Sequence, residues 1–564
     1  MFLSASTISK MITSAFSVTL NSNLTTPFLL FIGYSLSAGE IKIKIDKRYL
    51  NIPVSHKEDR HKMTFEVKGQ PALSVVIRLA PDEADYWVFK DVSNLKGKTL
   101  TISYEGNEKG LSNIYQDDNI KGEDNLYKEN NRPQFHFTTK RGWINDPNGL
   151  VYYDGEYHLF YQHNPFEREW ENMHWGHAVS KDLVHWEELT DALYPDHLGG
   201  MFSGSAVIDY GNTAGYNKGD TPAMIVAYTA AGPDKQVQCI AYSLDKGRTF
   251  TKYTNNPVID SKHIWNSHDT RDPKIFWYTS GNHWVMVLNE RDGHSIYTSP
   301  DLKSWKYESH VTGFWECPEL FELAVDGNPN NKKWVMYGAT GTYMLGSFDG
   351  KTFISESGKY FYTKGSLYAG QTYTNIPNSD GRRIQIAWGR ISHPSMPFNG
   401  MMLLPTELTL HTTKEGIRLF SNPIKETKQL FTPLKKWASL TSDKANDHLK
   451  EFRNAETLRI KTTFKLSHAT SAGIDLFGQR ILDYDMNANT INSVFYSPED
   501  RNSMELTADI YIDKTSIEVF IDGGIYSYSM GRKAANNNQD GIRFWGNNIA
   551  VKNLEIFSVK SIWN

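Results

Sequence analysis

The chain has 564 residues, too many for a single hydrophobic core, so two to four domains are expected. Its 60 basic and 64 acidic residues leave a formal charge of −4 with no basic patch, which argues against a nucleic-acid partner. Two cysteines, Cys239 and Cys317, do not make a disulfide scaffold or a zinc site; one bridge stays open, and two free, buried thiols are the preferred reading.

Taken in chain order, "TPFLLFIGYSLSAG" (26–39) is a short apolar run ending in small residues, the pattern of a secretory signal with cleavage near Ser37 to Gly39. It is too short to span a bilayer. The only positive charge near it is Lys10, and the alternative is a disordered leader. Residues 1–39 are therefore expected to be a signal peptide, the protein exported (periplasmic, secreted or at the cell surface), with no membrane-spanning segment. From 40 to 115, "EIKIKIDKRYL", "KMTFEVKG", "LSVVIRLA", "DYWVFKDV" and "KTLTISYEG" alternate with a period of two and predict a small all-β accessory domain. Residues 116–133 are polar and charged and read as a linker.

Between 134 and 420 strand follows turn follows strand, with no convincing amphipathic helix. "SKDLVHW" (180–186), "SLDKGRTF" (243–250), "SPDLKSW" (299–305) and "SFDGKTF" (347–353) share a Ser, an Asp two residues on, and a closing aromatic. That recurrence is the period of a four-stranded propeller blade. A fifth unit, 367–390, lacks the echo. From 425 to 564 the alternation is clean and predicts two packed antiparallel sheets. The expected fold is all-β: a five-bladed β-propeller with a C-terminal β-sandwich and a small N-terminal all-β accessory domain.

Three acidic residues open separate blades in this reading, each followed within two residues by proline: Asp146 in "WINDPNG", Asp272 in "RDP" and Glu316 in "ECP". Proline restricts both itself and the residue before it, so it can hold a nearby side chain in one direction. One such site is most often a plain turn; three at blade starts, beside aromatics, point to a shared site. Aromatics make up 13% of the chain. They suit strand packing and also suit sugar rings, and composition alone favours packing.

These motifs, with "YHLFYQHNP" (157–165), "WENMHWGHAVSKDLVHW" (170–186), "FSGSAV" (202–207), "YAGQTY" (368–373), "GRRIQIAW" (381–388) and "IEVFIDGG" (517–524), resemble those of glycoside hydrolase family 32, the β-fructosidases, over about 134–560. The 40–110 region lies outside that resemblance. The resemblance implies a retaining hydrolase that needs no metal or cofactor. Asp146 would be the nucleophile, Glu316 the acid/base with the higher pKa of the two, and Asp272 a stabiliser of the developing charge. Arg271 would pair with Asp272 or its neighbours, and Trp315 and Phe314 would help dry Glu316. Asn145, Gln162, Trp170, Phe202, Ser203 and Trp388 would line the fructose site. Cys317 reads as a small packing residue, and His136, His174 and His177 as structural.

The expected partners are a fructan or fructo-oligosaccharide and sucrose. The preferred reading is exo-acting removal of terminal β-D-fructofuranosyl units from levan or inulin. The alternatives are an endo-acting fructanase and a non-catalytic fructan-binding propeller, the last disfavoured by the intact acidic trio. Linkage preference, transfer to sugars and oligomeric state are not legible in the sequence.

Overall fold

The computed structural model describes residues 39–466, 471–496, 505–533, 541–546 and 548–563; the expected leader lies outside them except for Gly39. No helix among the described residues is long and apolar enough to cross a membrane. The chain is all-β, the longest α-helix among the described residues being Ser442–Leu449.

Residues 39–117 form a four-stranded and a three-stranded sheet around Leu50, Ile52, Val54, Met63, Val88 and Ile102. The run "EIKIKIDKRYL", which alternates like one strand, is divided. Gly39–Lys44 pairs with Thr99–Tyr104, and Tyr49–Val54 pairs with Tyr86–Asp91 in the other sheet. The break falls where the Gln116 side-chain oxygen accepts from the backbone N–H groups of Asp46 and Lys47, at 2.9 and 3.1 Å. A side chain there replaces the strand ladder. The stretch expected as a linker is built into the fold. Tyr115–Asp117 is the third strand of the smaller sheet. Arg132 is fully buried, 3.6 Å above the Phe398 ring and hydrogen-bonded to Glu129 at 2.7 and 2.9 Å. Its polar composition supports buried pairing rather than solvation.

The N-terminal module grips a loop that follows the strand Glu156–Asn164. Phe166 enters the module's core and stacks on Phe65 at 5.8 Å. Glu167, with no exposed surface, accepts from the Arg60 and Arg78 guanidinium groups at 2.8 and 2.9 Å and from the Arg78 backbone at 2.8 Å. Glu169 accepts from the same two guanidiniums at 2.9 and 3.2 Å. Asn172 exchanges two hydrogen bonds, each 2.8 Å, with the Val76 backbone.

Residues 142–423 contain three successive sheets, beginning with Gly142–Tyr153, Gly200–Asp209 and Thr270–Tyr278, antiparallel except that the short strand Phe398–Asn399 joins the first in parallel. A nine-stranded sheet follows, containing two further antiparallel groups that begin with Glu319–Val325 and Leu367–Thr372 and meet at one parallel pair, Val325 and Leu410. One short helix, Ser261–Trp265, interrupts the strands, capped by Asp260, whose carboxylate accepts from the Lys262 N–H at 3.2 Å. The repeated Ser-x-Asp sequences all occupy one place, the hairpin leading from the third strand of a group to the fourth. There Asp182, Asp245, Asp301 and Asp349 accept backbone N–H groups two to four residues ahead, the Asx-type turn that such residues form locally.

The five leading strands are joined in a closed series. Ser203 Oγ donates to Asp146 at 2.7 Å. Ser205 bridges to the Pro273 carbonyl and the Ile275 N–H at 2.7 and 2.9 Å. Lys274 meets Glu319 at 2.7 Å, both essentially buried. Glu319 accepts from the Thr372 hydroxyl and N–H at 2.6 and 3.1 Å, and Gln371 accepts from the Leu150 N–H at 2.9 Å. Lys274 also donates to the Thr372 carbonyl at 2.7 Å. Burial pushes the Lys274 ammonium below its ordinary pKa, and Glu319 opposes that fall.

The C-terminal region packs a seven-stranded sheet on a five-stranded one around Leu458, Ile460, Phe464, Ile474, Ile510 and Val519. It is tied to the preceding sheets through His136. The His136 ring sits 2.7 Å from both Asp513 and Glu518. Burial alone would lower its pKa, but the two carboxylates outweigh it and raise it to about 9. The imidazolium is thus a structural cation.

Removing one partner of the Lys274–Glu319 pair strands a buried charge, which costs about 3–5 kcal/mol. Glu319→Ala should therefore lower the thermal midpoint sharply, and Lys274→Met with Glu319→Leu should recover most of the loss. A wild-type midpoint for Glu319→Ala would show that the pair does not hold the strands.

Candidate active site

Asp146, Ser203, Asp272 and Tyr368 all lie where the leading strands slip register against their neighbours. The slips fall between Ile144 and Pro147, Phe202 and Gly204, Arg271 and Lys274, and Tyr368 and Gln371. A bulge unpairs a residue and re-aims its side chain, which is why bulges gather at rims and active sites. The fourth group, led by Glu319–Val325, supplies its acid from the turn just before the strand. Glu316 and Cys317 there have φ of 51° and 43°, and Asp272 has φ of 65°. Non-glycine residues in the left-handed region are costly and persist only where the surroundings impose them. The surroundings here are specific. Asn289 accepts the Glu316 N–H at 2.8 Å, Thr229 accepts the Asp272 N–H at 3.0 Å, and Asp272 accepts the Cys317 N–H at 3.0 Å.

The three acids converge. The Cys317 sulfur lies 3.7 Å from Asp146 Oδ2 and 3.6 Å from Asp272 Oδ2, and Glu316 is its chain neighbour. Asp146 accepts from Ser203 Oγ at 2.7 Å and from the Asn145 amide at 3.1 Å. Asn145 in turn accepts from the Trp143 indole at 2.8 Å. One Glu316 oxygen accepts from Arg271 at 2.6 and 3.2 Å, the other from the Tyr368 hydroxyl.

Burial raises the Asp146 carboxyl above its ordinary pKa. Hydrogen bonds from Ser203 and Asn145 pull it back, and the charge of Glu316 adds to the rise. Burial lifts Asp272 further, to about 7; Arg271 opposes this, and the charges of Asp146 and Glu316 reinforce it. Arg271 donates to Glu316 and also pairs with Asp269, neighbours of Asp272 rather than Asp272 itself; its charge opposes the rise of the Asp272 pKa without cancelling it. One expectation is corrected: Trp315 and Phe314 do not dry Glu316. Trp315 is 43% exposed and carries the Arg271 guanidinium 5.5 Å from its ring centre, while Phe314 packs inward on His294 at 5.3 Å.

Among the other anticipated residues, Trp170 is half-exposed and meets Phe202 edge-on at 5.9 Å. Its loop is the one gripped by Arg60 and Arg78. Trp388 contacts Trp143 and Tyr368 at 5.8 and 6.3 Å, and its buried indole N–H has no partner among the described residues. Gln162 is buried and donates to the Met201 carbonyl at 2.9 Å, so its amide braces the strand that bears Ser203. His177 sits 3.0 Å from His158 in the core. Both cysteines are free thiols. Sequence reasoning missed Tyr368 and the bridging position of Cys317. Tyr368 lay inside a quoted motif, but a tyrosine in a strand carries no local mark of a catalytic contact.

A family model for the glycosyl hydrolases family 32 N-terminal domain matches residues 136–423. A levanase of Bacillus subtilis is 38% identical over 488 residues, covering 77% of this chain and 71% of the relative. An extracellular exo-inulinase of Aspergillus niger is 32% identical over 470 residues, covering 69% and 87%. The crystal structure of an exo-inulinase from Aspergillus awamori aligns with a TM-score of 0.67 at 28% identity, over 78% of this chain and all of that one. The chain belongs to glycosyl hydrolase family 32. It is a glycoside hydrolase of the β-fructosidase type.

The raised Asp272 pKa makes a signed prediction. The folded protein favours the protonated carboxyl, so this group's stabilising contribution is complete below the unfolded value of about 4. It is lost as pH rises through about 7. Asp272→Asn escapes that loss, so its melting midpoint relative to wild type should climb between those two pH values. A difference that does not change with pH would show that the carboxyl is not raised.

Proposed function

We propose that this enzyme is an exported, exo-acting, retaining β-fructosidase that removes terminal β-D-fructofuranosyl units from levan or inulin and from sucrose. The observation that carries the reading is the convergence of Asp146, Asp272 and Glu316 on the Cys317 turn. In the same reading, the five strand groups are blades of one propeller, a view supported by the closed series of contacts among their leading strands. The levanase and exo-inulinase relatives support fructan as substrate, and the extracellular relative supports export.

Retention needs a nucleophile and an acid/base about 5 Å apart. Asp146, with its free lone pairs oriented by Ser203 and Asn145, attacks C2 of the fructosyl unit. The C2–O bond to the leaving group breaks, and Glu316 gives its proton to that oxygen. Negative charge then grows on Glu316, where Arg271 and Tyr368 already donate to both oxygens, so stabilisation needs no reorganisation. Water next loses a proton to Glu316 and adds to C2, and the ester to Asp146 breaks. Asp272, like Asp146, lies beside the Cys317 sulfur. While protonated it relieves the repulsion that would otherwise push the nucleophile's pKa higher, and it can donate to a fructose hydroxyl. The unpaired Trp388 indole N–H is a further donor to substrate, and half-exposed Trp170 is a platform at the mouth.

Asp146→Ala and Glu316→Ala should each lose at least about a hundredfold in kcat. Glu316→Gln should recover substantially on a fructoside whose leaving group needs no proton, whereas an Asp146 variant should not. Near-normal turnover of Asp146→Ala removes it as nucleophile. With levan and inulin, fructose alone from the first time point is the expected product; an initial ladder of oligomers would make the enzyme endo-acting, and no release at all would leave only a binding role.

A further inference from the structure

A cleft of about 710 Å³ lies between the N-terminal module and the strands that follow Asp146. The module contributes Tyr49, Phe89 and Lys90 to it; the catalytic region contributes His174, Trp186 and Tyr194. None of the candidate catalytic or fructose-site residues lines it. Its size is that of a small-molecule or oligosaccharide site, within the usual range of about 300–1,000 Å³.

Two polar groups in the cleft lack partners. His174 is fully buried. Its Nδ1 lies against the Asn172 carbonyl and must carry the proton, which leaves Nε2 as an acceptor with no partner among the described residues. Burial keeps the ring neutral by lowering its pKa to about 4. Tyr194 and Phe166 meet the ring at 5.4 and 5.9 Å and fix its direction. The Lys90 ammonium lies 5.1 Å from the Tyr194 ring centre, with no hydrogen bond or ion pair among the described residues. The buried His174 acceptor left unsatisfied is costly unless something fills it, and the partly exposed Lys90 ammonium lines the same cleft.

The surrounding charges are already paired: Arg48 with Asp91 at 3.1 Å, His163 with Asp191 at 2.7 Å, and Arg248 with Glu156 at 2.8 Å. An anionic ligand drawn to Lys90 would meet Asp191 and Asp91, whose charges act on that ammonium. A neutral polyhydroxylated ligand meets no such opposition. Its hydroxyls suit His174 and Lys90, and its C–H faces suit the Tyr49 and Phe89 rings, which pack edge-on at 5.5 Å. We propose that this cleft is a second carbohydrate site that holds a stretch of fructan away from the catalytic centre. The sugar class rests on the cleft; its identity as fructan rests on the proposed function. The N-terminal module thereby supplies one wall of the site and keeps polymer at the enzyme between cleavages.

The test uses the full chain carrying Asp146→Asn, titrated calorimetrically with β-2,6-linked fructo-oligosaccharide, with β-2,1-linked fructo-oligosaccharide, and with an α-1,4-linked glucan oligosaccharide. Two sites per chain are expected with at least one fructan, falling to one when Lys90→Met or Tyr49→Ala is added. With Asp146 restored, those two variants should keep wild-type kcat/KM on sucrose while their apparent affinity for polymer falls at least about fivefold, the loss of a linked second contact. A single site in the Asp146→Asn protein, or two sites that survive both added substitutions, overturns the proposal; equal filling by the glucan overturns its assignment to fructan. Failure of the fructosidase reading would show separately, as no sugar released from any fructan by the wild-type enzyme.

Discussion

Three carboxyl groups drawn together at the Cys317 turn repel one another, and burial of Asp146 and Asp272 weakens the screening of that repulsion. Everything near the candidate site is arranged against that repulsion. Arg271 and Tyr368 occupy both oxygens of Glu316. Ser203 and Asn145 occupy Asp146. Asp272 takes a backbone N–H from Cys317 and retains a proton to about pH 7. The left-handed backbone at Asp272, Glu316 and Cys317 belongs to the same arrangement, since an extended chain there would not turn these side chains inward.

Such strain needs a stiff frame. The frame is the series of side-chain contacts that lace the leading strands, with Lys274 and Glu319 buried at one junction and Ser205 and Gln371 at others. Lys274 follows Asp272 on one strand and Glu319 opens the strand just after Glu316, while Ser205 and Gln371 follow Ser203 and Tyr368 on theirs, so the lacing acts next to the bulges and the turn that present the site. Hydrophobic packing between sheets supplies the bulk of the cohesion, but it is non-directional. The polar lacing sets register, and register decides where a bulge points.

The parts that could be read from sequence are those whose physics is local. The four Ser-x-Asp hairpins were visible because an Asx turn is written within five or six residues, and the acid-plus-proline sites were visible for the same reason. Family resemblance then placed Asp146, Asp272 and Glu316 together. What stayed hidden depends on partners distant along the chain. Lys274 and Glu319 each look like an ordinary strand residue until the fold brings them together. Arg271 stands next to Asp272 in sequence, yet its guanidinium crosses to Glu316. The polar run at 116–133 looked like spacer because composition does not reveal that Arg132 lies under Phe398. The run at 40–50 alternated as one strand because nothing within it announces that Gln116 will take over its backbone hydrogen bonds.

The grip of Arg60 and Arg78 on Glu167 and Glu169 bears on how this enzyme could be trimmed. The first hundred or so residues lie outside the matched family region and look disposable on that ground. Cutting them away would uncover Phe166 and leave an enclosed carboxylate without either counter-ion. A minimal catalytic fragment would therefore require redesign of that loop, with apolar and acidic positions exchanged for soluble neutral ones, before it could behave as an independent body.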